Sequence, residues 1–445
     1  MNRGISENSD NGDSSNIGDN SNNGDSNNSN LRKHSATFYP LDEKLKIAWV
    51  ADRSVTGINR PHDRIALVLQ GGGALGAYQA GAFEELSGTA FQPNWIVGVS
   101  IGAINAAIIA GNPPERRVER LSEFWHQVSS GLPQFSDASP MMPWLRAMTE
   151  ATEPRSVFNQ WSAWHAALLG IPGFYQPRLL PPPFQPEGTE AALSLYDTAP
   201  LRKTLEALID FDLINDGSIR LSLGTVNVTT GNSHYFDNTQ CRIGPEHVMA
   251  SGALPPSFPP VIIDGEAWWD GGILSNTPLQ QVLDLRDKTE SLLVFQVDLF
   301  SARGALPKNF DEVLKRQKEI LYSSRTRYTS NMLAEVTNAR RAICDLIAKL
   351  PEDLKDDPEV QHLGEFARVA PIDLVHLIYR PGPYERESLD YEFSRVSVLE
   401  RWEAGRRDLR DTLLHPEWLK CAGQAAGATQ YDLIQHTRAV SKAAQ

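Results

Sequence analysis

The sequence predicts an α/β fold on a mainly parallel sheet, and three observations carry this reading. Two strand–turn–helix units follow one another, Ile65–Leu69 into Ala74–Leu86 and then Trp95–Val99 into Ile101–Ala110. Both strands are continuous apolar runs, the pattern of strands covered on both faces. The repeated strand–helix order within one sheet gives parallel neighbours.

The elements follow in order along the chain. Residues 4–30 are almost all Asn, Ser, Asp and Gly. Such a segment buries too little apolar surface to offset its ordering entropy, so residues 1–35 are expected to form a disordered tail. In the first helix Ala77, Ala80, Ala82 and Phe83 are the packing residues. Trp95–Gly111 is apolar, but it is shorter than the ~20 residues of a membrane span and carries Ser100 and Asn105. It reads as a buried strand and a buried helix.

Between 112 and 195 the pattern loosens around Trp125, Trp144, Trp161, Trp164, Met141, Met142, Met148 and Pro181-Pro182-Pro183. Two readings stay open there: irregular aromatic packing, or a flexible apolar surface that covers a site or admits an acyl chain. Thr198 or Asp197 can cap a helix beginning near Pro200, with Leu201, Leu205 and Leu208 at helical spacing. Ile219–Val228 alternates as a strand, which His234–Phe236 can join across Gly231-Asn232. Asp264-Gly265 reads as the turn of a hairpin, and Leu292–Val297 as another buried strand. Phe310–Leu350 reads as long charged helices, Asp373–Tyr379 as a strand and Val396–Leu414 as a terminal helix. Residues 305–420 are therefore expected to form a mostly helical C-terminal extension, followed by a tail over 421–445.

Composition narrows the function classes. The chain has 445 residues, 41% hydrophobic and 22% charged, with a formal net charge of −13. That charge argues against general nucleic-acid binding and gives no pull toward anionic membranes. The three cysteines, Cys241, Cys344 and Cys421, have no metal-ligand spacing and read as reduced thiols. The first thirty residues hold no apolar secretory core. A cytoplasmic protein is expected, one that allows peripheral contact with a membrane.

The chemistry lies in the two turns. Gly98-Val99-Ser100-Ile101-Gly102 matches the G-x-S-x-G elbow, which presents a serine hydroxyl at a sharp strand-to-helix junction. The flanking strand and helix are the context that motif requires. The other turn, Gly71-Gly72-Gly73-Ala74-Leu75-Gly76, would point backbone N–H groups outward as an oxyanion site needs. Gly71, Gly73 and Gly76 also satisfy the dinucleotide pattern G-x-G-x-x-G. That reading requires an acid at the end of the second strand, where this chain has Gly98-Val99-Ser100. A serine also needs a base, and Asp270 in Trp268-Trp269-Asp270-Gly271-Gly272 is the informative candidate.

Three blocks together resemble the patatin-like phospholipases: GGGALGAYQAG at 71–81, GVSIG at 98–102, and SGALPPSFPP…WWDGG at 251–272. The resemblance covers a domain of roughly 64–300 and implies a three-layer α/β/α sandwich. It implies lipid acyl hydrolysis by a Ser–Asp dyad, with Ser100 as nucleophile and Asp270 as base. Gly71, Gly72 and Gly73 would supply oxyanion-hole N–H groups, and Gly98 and Gly102 would form the elbow. No cofactor and no metal are implied; the expected partner is a lipid or ester substrate. Many relatives carry Arg or Lys where this chain has Leu75, a departure that fits a neutral or short-chain ester as well as a phospholipid. Two alternatives stay open. One is a lipid-binding or scaffold protein with little turnover on the same fold. The other is a Ser–Asp–His esterase, since Ser100, Asp270 and His376 occur in that order, although His376 within Leu374–Ile378 reads as a core or edge residue.

Overall fold

The computed structural model describes residues 62–130, 152–367, 370–414 and 428–431. The expected N-terminal tail, Met141, Met142, Trp144, Met148 and Cys421 lie outside the described residues. Nine strands form one sheet: β1 (Arg64–Leu69), β2 (Trp95–Val99), β3 (Arg220–Asn227), β4 (Ser233–Asp237), β5 (Val261–Ile263), β6 (Glu266–Asp270), β7 (Leu292–Asp298), β8 (Ile372–Ile378) and β9 (Ala428–Tyr431). Their order is β9-β8-β7-β1-β2-β3-β6-β5, with β4 also on β3. From β9 to β3 all neighbours are parallel, whereas β3–β6, β5–β6 and β3–β4 are antiparallel. This is the mainly parallel sheet expected from the sequence, with helices around it.

The strands in the middle of the sheet are buried along most of their length because both faces are covered; β1 is exposed only at its start, Arg64. Ala66, Val68, Trp95, Val97, Val294 and Leu374 share one face with Leu279 and Val282 of the helix Leu279–Leu285. Two helices follow the glycine-rich turns, α1 (Gly76–Ser87) and α2 (Ile101–Ala110). Every residue of α2 is buried, so it is apolar all round and sits inside the molecule. Asp197 Oδ1 accepts from the Ala199 N–H at 2.8 Å, which makes Asp197 the side chain that holds the start of the next predicted helix, Ala199–Leu208. Asp264 and Gly265 both have positive φ, 52° and 82°, as a two-residue hairpin turn between β5 and β6 demands.

The C-terminal region is mostly helical, but it is built into the sheet. Phe310–Ala348 is a single 39-residue helix rather than several. β8 pairs with β7 along its whole length and carries β9 on its other side, so a strand appears within the expected 421–445 tail. The last long helix, α3 (Arg395–Leu414), lies on α1. There Tyr78 donates to Asp408 at 2.9 Å, and Arg410 bonds Glu85 at 2.9 Å. Asn59–Gln445 accordingly form one unit by their contacts.

Candidate active site

One strand brings the two key side chains together. The first half of β3 pairs with β2, ending at Val99 opposite Gly224. The second half pairs with β6, beginning with Asp270 opposite Thr225. Because β4 occupies the other edge of β3 at 222–226, β2 and β6 share one edge. Ser100, next after Val99, and Asp270 thus arise at consecutive positions of that edge. Both side chains border the same cavity, and the Ser100 side chain favours the ionised form of the Asp270 carboxyl.

Ser100 has φ 58° and ψ −125°, a conformation that L-residues other than at such elbows rarely adopt. The glycines on either side make it feasible. A Cβ at Gly98 would come within 2.4 Å of the Gly102 carbonyl oxygen, and one at Gly102 within 2.3 Å of the Leu69 carbonyl oxygen. The Ser100 N–H is held by Ser251, through its carbonyl and its hydroxyl, each at 3.1 Å. Ser251 in turn donates to the Gly224 carbonyl at 2.6 Å, which ties the elbow to β3. Ser100 also caps α2, so the positive end of that helix faces its hydroxyl.

Asp270 is 1% exposed. Burial pushes its carboxyl from 3.8 up to about 7; the nearby Ser100 side chain and the hydrogen bond from the Gly272 N–H, at 2.7 Å, act in the opposite direction. A carboxylate at this value is a far better proton acceptor than an exposed aspartate.

The glycine turn stands across from the pair. Gly73 has φ 54°, open only to glycine here, because a Cβ would meet the Asp390 carbonyl oxygen at 2.1 Å. The Gly71 N–H donates to the Asn276 carbonyl at 3.2 Å, so it is already engaged. Among the described residues no acceptor faces the N–H groups of Gly72 and Gly73. The three expected donors therefore reduce to two. Asn276 has a second hold on this turn, donating from Nδ2 to the Gly71 carbonyl at 2.9 Å. Leu75 is fully buried in the core.

Ser100, Asp270 and the turn glycines line one cavity of about 390 Å³. Its far side is aromatic, with Trp164, Phe174, Tyr175, Tyr196, Phe258 and Phe393. Phe174, Tyr175 and Phe258 pack ring against ring at 5.2–5.9 Å. The loosely patterned 112–195 stretch thus divides. Trp125 is buried and donates to Asn105 at 3.1 Å, whereas Trp161 and Trp164 are 52% and 60% exposed on the helix Thr152–Leu169. The lining also includes Phe300, Tyr322, Glu387, Asp390 and Tyr391, which motif reasoning did not single out.

His376 is not part of this cavity. It sits on β8, buried against Asp298 of β7 at 2.5 Å and Gln296 at 3.1 Å. No histidine is among the residues that line the cavity. Among the described residues no group of His, Cys, Asp and Glu side chains could hold a metal ion, and no helix is long and apolar enough to cross a membrane.

Comparison with known proteins places these features in a family. Residues 67–283 match the family model described as patatin-like phospholipase, and residues 320–424 match a second, described as patatin phospholipase. No curated protein sequence matches. Among solved structures, VipD from Legionella pneumophila is similar at 15% identity over 79% of this chain, with a TM-score of 0.33. Human GIVD cytosolic phospholipase A2 is similar at 10% identity over 85% of the chain, with a TM-score of 0.36. The same human enzyme in complex with methyl gamma-linolenyl fluorophosphonate gives 13%, 85% and 0.36. The chain spans 67% of VipD and 63% and 62% of the two human chains. With both models matched around the serine elbow and through the C-terminal helices, the chain belongs to the patatin-like phospholipase family.

Proposed function

We propose that this protein is a lipid acyl hydrolase working through a Ser100–Asp270 dyad. The observation that carries the reading is a strained serine at the start of α2 and a buried aspartate, its carboxyl pushed up to about 7, lining one cavity. As Ser100 Oγ attacks the ester carbonyl carbon, its proton passes to the Asp270 carboxylate. The charge that builds on the carbonyl oxygen is met by the Gly72 and Gly73 N–H groups and by the start of α2. The C–O bond of the leaving alcohol then breaks, the alcohol takes the proton from Asp270, and an acyl-Ser100 ester remains. Water attacks that ester and gives a proton to Asp270; the bond from the acyl carbon to Ser100 Oγ then breaks, Oγ takes that proton back, and the free acid leaves. The aromatic side of the cavity would hold the acyl chain. The exposed Trp161 and Trp164 beside its mouth favour approach to an apolar lipid phase.

The test is reaction with a fluorophosphonate, together with an ester assay, on wild type and Ser100→Ala. Labelling and turnover by wild type alone support the proposal. A wild type that binds lipid vesicles but neither labels nor turns over supports the binding-protein reading instead.

A further inference from the structure

Resting on the hydrolase reading, the geometry points to uncharged acyl esters as the substrate of this site, with Asp390 and Glu387 excluding anionic phospholipids. Both residues belong to the turn Glu387–Asp390, and both line the cavity that contains Ser100. That turn sits directly on the glycine turn. The Cβ of Asp390 is 3.7 Å from the point where a Cβ on Gly73 would be, and its carbonyl oxygen is nearer still. The acids therefore share one cavity with the two unoccupied N–H groups, and a headgroup attached to an ester bound there enters the same space.

Among the described residues of the lining nothing balances them: Asp270 adds a third carboxyl group, and no described Lys, Arg or His lines the cavity. Among the described residues Lys318 is the cation that pairs with Asp390 and Glu387. Its Nζ bonds Asp390 Oδ1 at 2.7 Å and the Glu387 carbonyl at 2.8 Å, with the Glu387 carboxylate 4.0 Å away. Two acids against one base leave this side net negative. The Tyr322 ring, also in the lining, senses the field: burial pushes its hydroxyl up to about 12, and the charges of Asp390 and Asp270 add to the rise. A phosphate monoanion entering here meets like charge in a half-enclosed space, which is how a site rejects a ligand it otherwise fits. An acylglycerol presents only hydroxyl and ester oxygens and meets no such opposition.

The experiment compares a diacylglycerol with a phosphatidylglycerol of the same acyl chains. Each is presented at low mole fraction in non-ionic detergent micelles, to wild type, Asp390→Asn, Glu387→Gln and Asp353→Asn. The last removes one exposed acid outside the cavity lining and so reports the effect of overall charge. Wild type is expected to show kcat/KM at least about tenfold higher for the diacylglycerol. Asp390→Asn should narrow that ratio about threefold or more, because it also frees the Lys318 charge, and Glu387→Gln should narrow it less. Asp353→Asn should leave the ratio where it is. Equal rates on both lipids in wild type overturn the inference. So does a ratio that moves as far in Asp353→Asn as in Asp390→Asn, or that stays fixed in both cavity variants while their melting temperatures and fluorophosphonate labelling match wild type. Failure of the parent reading looks different: neither lipid is cleaved by wild type, or cleavage survives in Ser100→Ala, and the selectivity then falls with it.

Discussion

The two sides of the cavity are built by different means. On one side, position is set by backbone. Ser100, Asp270 and the turn glycines occupy the ends of three strands, and their neighbours hold them through main-chain hydrogen bonds and missing Cβ atoms. On the other side, position is set by side chains that come from helices and loops far apart in sequence, from Trp164 to Phe393. The first side leaves almost no room for substitution. The second can be repacked at moderate cost. Chemistry should therefore fail sharply on changes to the strand-end side, whereas changes to the aromatic side should alter which molecule is accepted.

The largest effect should come from Ser100→Ala, which removes the nucleophile while keeping a residue that tolerates the elbow. The proposed mechanism predicts a fall in kcat of about 10³-fold or more, read on any chromogenic ester. Residual turnover close to wild type would erase the contrast between the two sides.

Asp270→Asn should lose nearly as much and should also separate catalysis from stability. In wild type the ionised carboxylate is the base, so kcat/KM should rise with pH and level off above about 7. The stability effect has the opposite sign. The folded protein binds this proton more tightly than the unfolded chain, whose aspartate titrates near 3.8. The contribution is fully present below that pH and is lost as pH rises through about 7. Three pH units correspond to about 4 kcal/mol at most. Asparagine carries no charge to bury, so the variant should gain melting temperature relative to wild type at pH 8 and much less at pH 5. A thermal-melt series over that range checks this.

The same division explains what could be read from the sequence. β1, β2 and α2 were legible almost to the residue, because a continuous apolar run followed by glycine leaves few alternatives to a buried strand that turns into a helix. The elbow and the Asp270 turn were legible because each is a short contiguous motif. The closeness of Ser100 to Asp270 was not readable from spacing. It depends on β3 changing partners between Gly224 and Thr225, and no local pattern announces that. The engagement of the Gly71 N–H was also hidden, since its acceptor is Asn276, more than two hundred residues away. The strand at 373–379 was legible, but nothing in the helical composition around it indicated that it would pair with β7 inside the sheet, or that Glu387–Asp390 would reach the cavity. Residues such as these have no motif; they meet only after the sheet has formed.

Asn276 tests the strand-end side at one remove. It touches no reacting atom in the proposed mechanism, yet its Nδ2 fixes the Gly71 carbonyl and so the tilt of the next two peptides. Asn276→Ala keeps the main-chain bond to Gly71 and loses the side-chain one. Donors that drift from the oxyanion weaken transition-state binding more than ground-state binding. The expected outcome is a fall in kcat of about tenfold, with KM nearly unchanged. A change in KM alone would mean that Asn276 only shapes the pocket.

The smallest effect should come from the aromatic side, and it should be one of kind. Phe258 packs on Tyr175 at 5.2 Å and on Phe174 at 5.9 Å, and it lines the cavity. Phe258→Leu opens space there without touching the strand ends. Each extra methylene that a longer acyl chain can then bury is worth about 0.8 kcal/mol, or about fourfold in kcat/KM. The optimum in an ester series should shift toward longer chains, while the best kcat stays within a few-fold of wild type. The pH dependence should remain that of Asp270, because none of the groups that set its ionisation has moved. If the variant instead lost kcat on every ester with no shift in chain length, the aromatic side would be supporting the dyad, and the separation between chemistry and selection would not hold.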